Sequence, residues 1–171
     1  MIIDRFRADG KIALVTGGTR GIGLGIARAL AEAGAKVIIS SRKDSGAVET
    51  LAAEGHEVEF RAADMMDAAA PKVLIDGVVS DYGRLDILVN NAGVADNAPT
   101  QDFDDERYDR IMTTNLHSVF RSCRAVIPHM QKQGGGVILN IGSISAMISN
   151  VPQPQSAYNA SKAAVHQFTV S

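Results

Sequence analysis

Short apolar runs alternate with longer amphipathic segments along the 171-residue chain. The runs are rich in β-branched residues, as strands are, and the stretches between them are long enough for helices. Because the runs are almost continuously apolar and alternate with helical segments, they favour a parallel sheet covered on both faces. The predicted fold is α/β, a doubly wound parallel sheet. Its five strands are predicted at Lys11–Thr16, Lys36–Ser40, Glu57–Arg61, Ile87–Asn90 and Gly136–Ile141.

The segments between the strands have helical spacing. In the first, Ile22, Ile26, Ala29, Leu30 and Ala33 form one apolar stripe, and Gly34 is suited to end the helix. Pro128 is expected to kink or shorten the last turns of the longest helix. Residues 1–171 are expected to form a single domain, since no repeat or linker interrupts the pattern. The other helices are predicted at Val48–Glu54, Ala68–Tyr82, Asp104–Gln133 and Tyr158–Ser171.

The charge balance is close to neutral, with 17 Lys and Arg against 19 Asp and Glu. This gives no electrostatic reason to expect nucleic acid or an anionic membrane as a partner. No apolar run approaches the ~20 residues of a membrane helix, and the N-terminus lacks the apolar core of a signal peptide. Cys123 is the single cysteine, which excludes an internal disulfide. The histidines show no metal-ligand spacing, so no metal site is expected, and a cytoplasmic location is predicted.

A glycine-rich loop follows the first predicted strand directly and precedes a helix. Gly17, Gly21 and Gly23 have the spacing G-x3-G-x-G. Glycines at such a turn let the backbone approach a pyrophosphate, whose charge then meets the free N–H groups at the helix start. The placement after the first strand of an alternating chain predicts dinucleotide binding rather than an ordinary turn.

Five segments, in order along the chain, carry a resemblance to one family. They are TGGTRGIG at 16–23, NNAG at 90–93, TTNLHSVF around Asn115, NIGSIS around Ser143, and Tyr158-x3-Lys162. Together they resemble the classical short-chain dehydrogenase/reductase family, and the resemblance runs from Lys11 to the end of the chain. It implies a Rossmann fold, an NAD(P) cofactor and oxidoreductase activity.

Tyr158 and Lys162 are four residues apart, so on a helix they share one face. An ammonium close to a phenol favours the phenolate, which suits proton transfer to or from an alcohol oxygen. The resemblance implies that Tyr158 is the acid/base and that Lys162 assists it and binds the nicotinamide ribose. It also implies that Ser143 orients the substrate oxygen and that Asn115 holds a water in a proton relay. Ser145 is the alternative to Ser143, which is preferred because it follows the fifth strand directly.

The end of the second strand bears on which nicotinamide cofactor is used. An acidic side chain there would bind the ribose 2′-hydroxyl of NAD and repel a 2′-phosphate. The sequence has Ser41 and Arg42 instead, and Arg20 in the glycine loop adds positive charge. NADP(H) is therefore the predicted cofactor, with NAD(H) as the alternative.

The remaining cofactor contacts are implied by the resemblance. Asp64 matches an acid that contacts adenine in the family, although it could instead cap a turn. The full set of implied cofactor residues is Gly17, Thr19, Arg20, Gly21, Ile22, Gly23, Ser41, Arg42, Asp64, Met65, Asn91, Ala92, Gly93, Tyr158 and Lys162.

The resemblance implies hydride exchange between NADP(H) and a secondary alcohol or ketone, and the stretch 148–155 resembles members acting on sugar alcohols. Reduction of a 3-oxoacyl thioester is the alternative within the family. Family members form dimers or tetramers and continue past the catalytic helix with two more strands and substrate-covering helices. Those segments are missing before the chain ends at Ser171. The fifth strand is then expected to be an exposed edge, and a catalytically inactive cofactor-binding module is the alternative from another class.

Overall fold

A five-stranded parallel sheet forms the centre of the protein, in a computed structural model that describes residues 2–171. The spatial order of the strands is β3-β2-β1-β4-β5, and every neighbouring pair is parallel. The doubly wound α/β prediction is confirmed, and the predicted strand limits differ from the observed ones by at most one residue at every strand end. The strands are β1 Ile12–Thr16, β2 Lys36–Ser41, β3 Val58–Ala62, β4 Ile87–Asn90 and β5 Val137–Asn140.

Helices connect the strands and cover both faces of the sheet. They are α1 Gly21–Glu32, α2 Ala47–Ala53, α3 Ala70–Tyr82, α4 Asp105–Met112, α5 Ser118–Lys132 and α6 Ser156–Val170. A π-helical turn, Thr113–His117, joins α4 to α5, so the predicted long helix has an irregular middle. The expected shortening at Pro128 does not occur, because α5 continues through it to Lys132. Across residues 2–171, no helix combines the length and hydrophobicity needed to cross a membrane.

The apolar core has one layer on each side of the sheet, since successive strand residues point to opposite faces. Val15 and Ile39 are completely buried on the side that carries α1 and α2. Leu14, Ile38 and Leu88 are completely buried on the opposite side, against α3 and α5. Burial of a side chain of this size contributes about 1.5–3 kcal/mol, so the central strands form a rigid platform.

Helix α1 is rotated relative to the predicted apolar stripe. Its buried residues are Gly23 and Ala27, whereas Ile22 is 70% exposed and Ala29 is also exposed. The prediction for Ile22 was wrong because Gly23, not Ile22, faces the loop beneath the helix. An apolar residue exposed at the first turn of this helix is explained by the cavity described below.

Strand β1 lies in the middle of the sheet, and the chain builds the sheet outward from it first on one side and then on the other. β2 and β3 lie on one side and β4 and β5 on the other, so the strand order reverses at β1 and β4. In open sheets of this kind, ligands bind in the crevice at the carboxyl ends of the strands around such a switch point. The expected exposed edge is also confirmed, because β5 ends the sheet with Val137 60% exposed and Leu139 47% exposed.

At the amino ends of β1 and β4, opposite the crevice, a buried carboxylate joins the two strands. Asp86 accepts a hydrogen bond from the Ile12 N–H at 3.0 Å and two from the Arg84 guanidinium. Burial alone would raise the pKa of the Asp86 carboxyl, but the Arg84 and Ile12 hydrogen bonds and the charges of Arg84 and Lys11 outweigh it, and the pKa is lowered. Asp86 therefore anchors β4 to the start of β1 in its charged form.

Candidate active site

The loops that follow β1 and β4 are tied together at the switch point. The Asn91 amide donates from Nδ2 to the carbonyl oxygens of Thr16 at 2.9 Å and Gly17 at 3.1 Å. In return, Thr16 Oγ1 accepts the backbone N–H groups of Asn91 at 3.0 Å and Ala92 at 3.1 Å. These four bonds hold the glycine loop and the loop after β4 in a fixed mutual position.

Two glycines are required by close packing in the same region. A Cβ atom at Gly23 would lie 2.3 Å from the Gly17 carbonyl oxygen and 2.4 Å from Asn91 Nδ2. At Gly17, where φ is +64°, a Cβ would lie 2.9 Å from the Ala92 Cα atom. The start of α1 can therefore approach the loop only because these positions have no side chain. The result is a helix N-terminus that opens onto the crevice, as a phosphate group needs.

A cavity of about 450 Å³ occupies this crevice. Most of the residues implied as cofactor ligands line it; Thr19 and the pair Tyr158 and Lys162 do not. Thr19 instead donates from Oγ1 to Ser41 Oγ at 3.2 Å. The predicted residues that line the cavity are Gly17, Arg20, Gly21, Ile22, Gly23, Ser41, Arg42, Asp64, Met65, Asn91, Ala92 and Gly93.

Five further lining residues were missed by the sequence analysis: Ala63, Met66, Val94, Arg110 and Thr114. Arg110 and Thr114 lie on α4 and the π turn, far along the chain from the glycine loop. The Arg110 guanidinium donates to Asp96 at 3.1 Å, which places a cation at the rim. Only the topology brings this segment to the crevice, so no local pattern could have indicated it.

The end of β2 carries positive and neutral groups at the cavity wall. Ser41 Oγ donates to the Lys43 carbonyl oxygen at 2.5 Å, and Arg20 and Arg42 both line the cavity with exposed side chains. There is no carboxylate in residues 39–43. This wall suits an anionic group better than a neutral one.

Asp64 lines the same cavity and also has the contact of a turn cap. Its Oδ1 atom accepts the Met66 N–H at 3.0 Å. The turn-cap alternative from the sequence is thus observed, and contact with adenine stays a prediction.

Lys162 is buried, with 5% of its surface exposed, and lies beside Tyr158. Its Nζ atom donates to the Ile141 carbonyl oxygen at 2.6 Å and lies 5.9 Å from the centre of the Tyr158 ring. A Cβ atom on Gly93 would lie 3.8 Å from the same Nζ atom, so the amine is next to the cavity floor. Burial lowers the pKa of Lys162. The amine thus links the phenol to the cavity.

The Asn115 side chain forms hydrogen bonds that hold the loop after β4 in place. It is completely buried, and its Oδ1 accepts the Val94 N–H at 2.8 Å. Its Nδ2 donates to the Val94 carbonyl oxygen at 2.9 Å and to Ser161 Oγ at 3.0 Å. Both side-chain donor hydrogens are used, so the side chain braces the loop after β4 against α6.

The two candidate serines differ in their surroundings. Ser143 is half-buried, and its Oγ accepts the Ser145 N–H at 3.1 Å. Ser145 is buried, and its Oγ accepts from Gln155 Nε2 at 3.2 Å. Ser143 is the more accessible of the two serines, which favours it as the residue that meets a substrate oxygen. Among residues 2–171, no group of three or more potential ligands is arranged to hold a metal ion.

The sheet, the switch-point crevice and its glycine loop define a Rossmann-type protein of the dinucleotide-binding class. More specifically, the chain belongs to the short chain dehydrogenase family, whose model matches residues 11–171. It is 45% identical to galactitol 2-dehydrogenase of Rhizobium johnstonii, over 98% of this chain and 66% of that protein. It is 39% identical to the 3-oxoacyl-(acyl-carrier-protein) reductase FabG of Vibrio cholerae, over 95% of this chain and 66% of that protein.

A solved structure gives the same result for the fold. A gluconate 5-dehydrogenase from Burkholderia cenocepacia, in complex with NADP and tartrate, superposes with a TM-score of 0.90 at 37% identity. The match covers 99% of this chain and 67% of that one. The chain thus spans about two thirds of the length of these relatives.

Proposed function

We propose that the protein transfers a hydride between NADP(H) and a secondary alcohol or ketone. The observation that carries the proposal is the position of Lys162, whose buried Nζ lies beside both the Tyr158 ring and the cavity floor at Gly93. A buried amine next to a phenol is an arrangement suited to proton transfer at the phenolic oxygen. The nicotinamide, when bound, supplies or accepts the hydride.

The cavity fits a dinucleotide on its own geometry. The glycine loop would receive the pyrophosphate against the N-terminus of α1, which approaches the loop closely because Gly17 and Gly23 have no side chains. Asp64 would lie at the adenine end and Asn91, Ala92 and Gly93 along the floor. Lys162 would reach the nicotinamide ribose from the far side of Gly93.

Preference for NADP(H) rests on the charges at the end of β2. Arg42 and Arg20 can pair with a 2′-phosphate, and the neutral Ser41 beside them does not repel it. The gluconate 5-dehydrogenase that superposes on this chain was solved with NADP, which supports the same choice.

Four residues of this chain are proposed to take part in the proton transfer. Tyr158 would give its phenolic proton to the substrate oxygen in the reduction, and take one from the alcohol in the oxidation. Lys162 would stabilise the phenolate that results, and Ser143 would orient the substrate oxygen through its hydroxyl. A water held by Asn115 would return the proton to Tyr158 through Lys162.

The substrate class is proposed to be polyols and their ketone products, supported by the similarity to galactitol 2-dehydrogenase. Similarity to a 3-oxoacyl reductase favours a second candidate, reduction of 3-oxoacyl thioesters. The two substrate classes differ in charge and length. They are distinguished by comparing the turnover of polyols, from erythritol-sized to hexitol-sized, with the turnover of an acetoacetyl thioester.

A homo-oligomer is proposed through α5 and α6. Phe120 on α5 is 45% exposed and Ile127 is 41% exposed. Phe120 also packs edge-to-face on Phe168 of α6, with ring centres 6.0 Å apart. An apolar surface shared by two helices suits a second copy related by a two-fold axis.

The test of the activity compares the wild type with Tyr158→Phe. Loss of a general acid/base is expected to lower kcat by about 100-fold to 10,000-fold. NADPH affinity, measured by titration, should stay unchanged. Tyr108→Phe is the matched control, since Tyr108 is an exposed phenol on α4, and it should retain full turnover. Equal rates for Tyr158→Phe and the wild type would contradict the proposal, and NADPH binding without turnover in the wild type would indicate a cofactor-binding module.

A further inference from the structure

Helix α6 contacts the segment after β5 at two points that are one turn apart. The first is the Lys162 bond to the Ile141 carbonyl oxygen. The second involves His166, four residues further along the helix, whose Nε2 atom accepts the Ser143 N–H at 3.3 Å. Tyr158, Lys162 and His166 therefore follow one another along the same face of α6, at spacing i, i+4 and i+8.

The imidazole ring is also in close contact with the backbone before Ser143. A Cβ atom on Gly142 would lie 2.1 Å from His166 Nε2 and 2.5 Å from its Cδ2 atom. The ring occupies the volume that any side chain at residue 142 would need. Gly142 and His166 are thus fitted to each other, and the ring can reach the Ser143 amide only because residue 142 is glycine.

We propose that His166 is a positioning residue for Ser143, acting through the backbone amide of that serine. This inference rests on the proposed function, in which the Ser143 hydroxyl meets the substrate oxygen. The hydrogen bond at Ser143 N fixes the peptide plane from which the Ser143 side chain projects. His166 itself does not touch the substrate or the cofactor.

The contact specifies the chemical state of the ring. An amide N–H can be accepted only by an unprotonated ring nitrogen, so the proton of the neutral imidazole lies on Nδ1. A side chain that fills the same volume without an acceptor would leave the Ser143 amide unpaired and its peptide plane free to rotate. A glutamine, whose Oε1 can reach the position of Nε2, would restore the acceptor.

The kinetic test uses three variants of the protein. His166→Leu is expected to lower kcat about tenfold, the effect of one lost positioning hydrogen bond, with the KM for NADPH changed less than about twofold. His166→Gln should recover kcat to within about threefold of the wild type. His129→Leu is the control, because His129 is a part-exposed ring on α5 that contacts Asp76 outside the site.

A spectroscopic readout keeps the test independent of turnover. Long-range ¹H–¹⁵N correlation of the imidazole should show His166 protonated on Nδ1 and unprotonated on Nε2, and His166→Leu should shift the Ser143 amide resonance. A proton on Nε2, or a leucine variant with wild-type kcat, would overturn the positioning role. A wild type without turnover but with the Nδ1 tautomer would instead contradict the proposed function alone and leave the structural contact standing.

Discussion

Lys162 donates a hydrogen bond to the carbonyl oxygen of Ile141 at 2.6 Å, and this bond joins helix α6 to the segment that follows β5. The amine is held away from solvent by the same contact. Its position next to Tyr158 is therefore fixed by the backbone of a neighbouring strand rather than by the flexible side chain alone.

The substitution Lys162→Met is expected to lower kcat by at least about 100-fold, because the amine that supports proton transfer is lost. Unfolding by denaturant should show a nearly unchanged stability at pH 7. The loss of the Ile141 hydrogen bond, about 1 kcal/mol, is offset by removal of a desolvated ammonium. Lys132→Met, on an exposed position of α5, is the control and should change neither quantity.

The lowered pKa of Lys162 also predicts a pH dependence of stability. Because the folded state releases this proton more easily than the unfolded state, the penalty for burying the charge is present at neutral pH. It is removed as the pH rises through the folded pKa toward the unfolded value of about 10.4. The wild type should therefore gain stability relative to Lys162→Met over that alkaline interval. A constant difference between the two would contradict the shift.

The contact of Gly23 with the glycine loop predicts a large difference between two glycines of α1. Gly23→Ala places a Cβ 2.3 Å from the Gly17 carbonyl oxygen, so it should lower the free energy of unfolding by about 2 kcal/mol and abolish NADPH binding. Gly25→Ala has nothing within 4 Å of its added Cβ. That substitution should raise stability by about 0.5–1 kcal/mol through helix propensity, with binding unchanged. Denaturation and a fluorescence titration of NADPH measure both.

Cofactor preference is expected to change with one substitution at the end of β2. Ser41→Asp would place a carboxylate where Arg42 and Arg20 are proposed to meet a 2′-phosphate. The Kd for NADPH should rise at least about tenfold, about 1.4 kcal/mol, while that for NADH should fall. Ser80→Asp adds the same charge at an exposed position of α3 and should leave both constants unchanged. Weaker NADH than NADPH binding in the Ser41 variant would argue against this assignment.

Acid should weaken the anchor between β1 and β4. The pKa of Asp86 is lowered in the folded state, so its stabilising contribution is present above the unfolded value of about 3.9. It is lost as the pH falls through the folded pKa. Asp86→Asn should cost about 2 kcal/mol at pH 7 and flatten the acid side of the stability profile. Asp109→Asn, an exposed carboxylate on α4, should leave the profile as it is in the wild type.

The strands and the order of the elements were predictable because each strand is a local run of apolar residues and each boundary is marked by nearby turn residues. The placement of the glycine loop after β1 was likewise visible in the sequence. The rotation of α1 was not, since an apolar residue at Ile22 is indistinguishable by periodicity from a core residue. Its exposure follows from the cavity that it lines.

Contacts between distant segments account for the other differences. The π turn at Thr113–His117 has no local signature, and it brings Thr114 to the cavity while Asn115 is used to hold Val94. No pattern in the sequence indicates a role for His166, because its partner, the Ser143 amide, is a backbone group of another element. Spacing within one helix indicates the face that a residue occupies, but not the backbone atom that it meets.

The hydrogen bonds of Asn91 and Thr16 hold only one half of the crevice, the half next to the glycine loop, so the other half can vary more easily. These bonds fix the half proposed to bind the dinucleotide, so binding there is expected to cost little conformational entropy. In the half beyond Ser143, by contrast, Ile144 and Met147 project into solvent at 65% and 74% exposure. Side chains there can be exchanged without disturbing the cradle, which lets a constant cofactor be combined with divergent substrates.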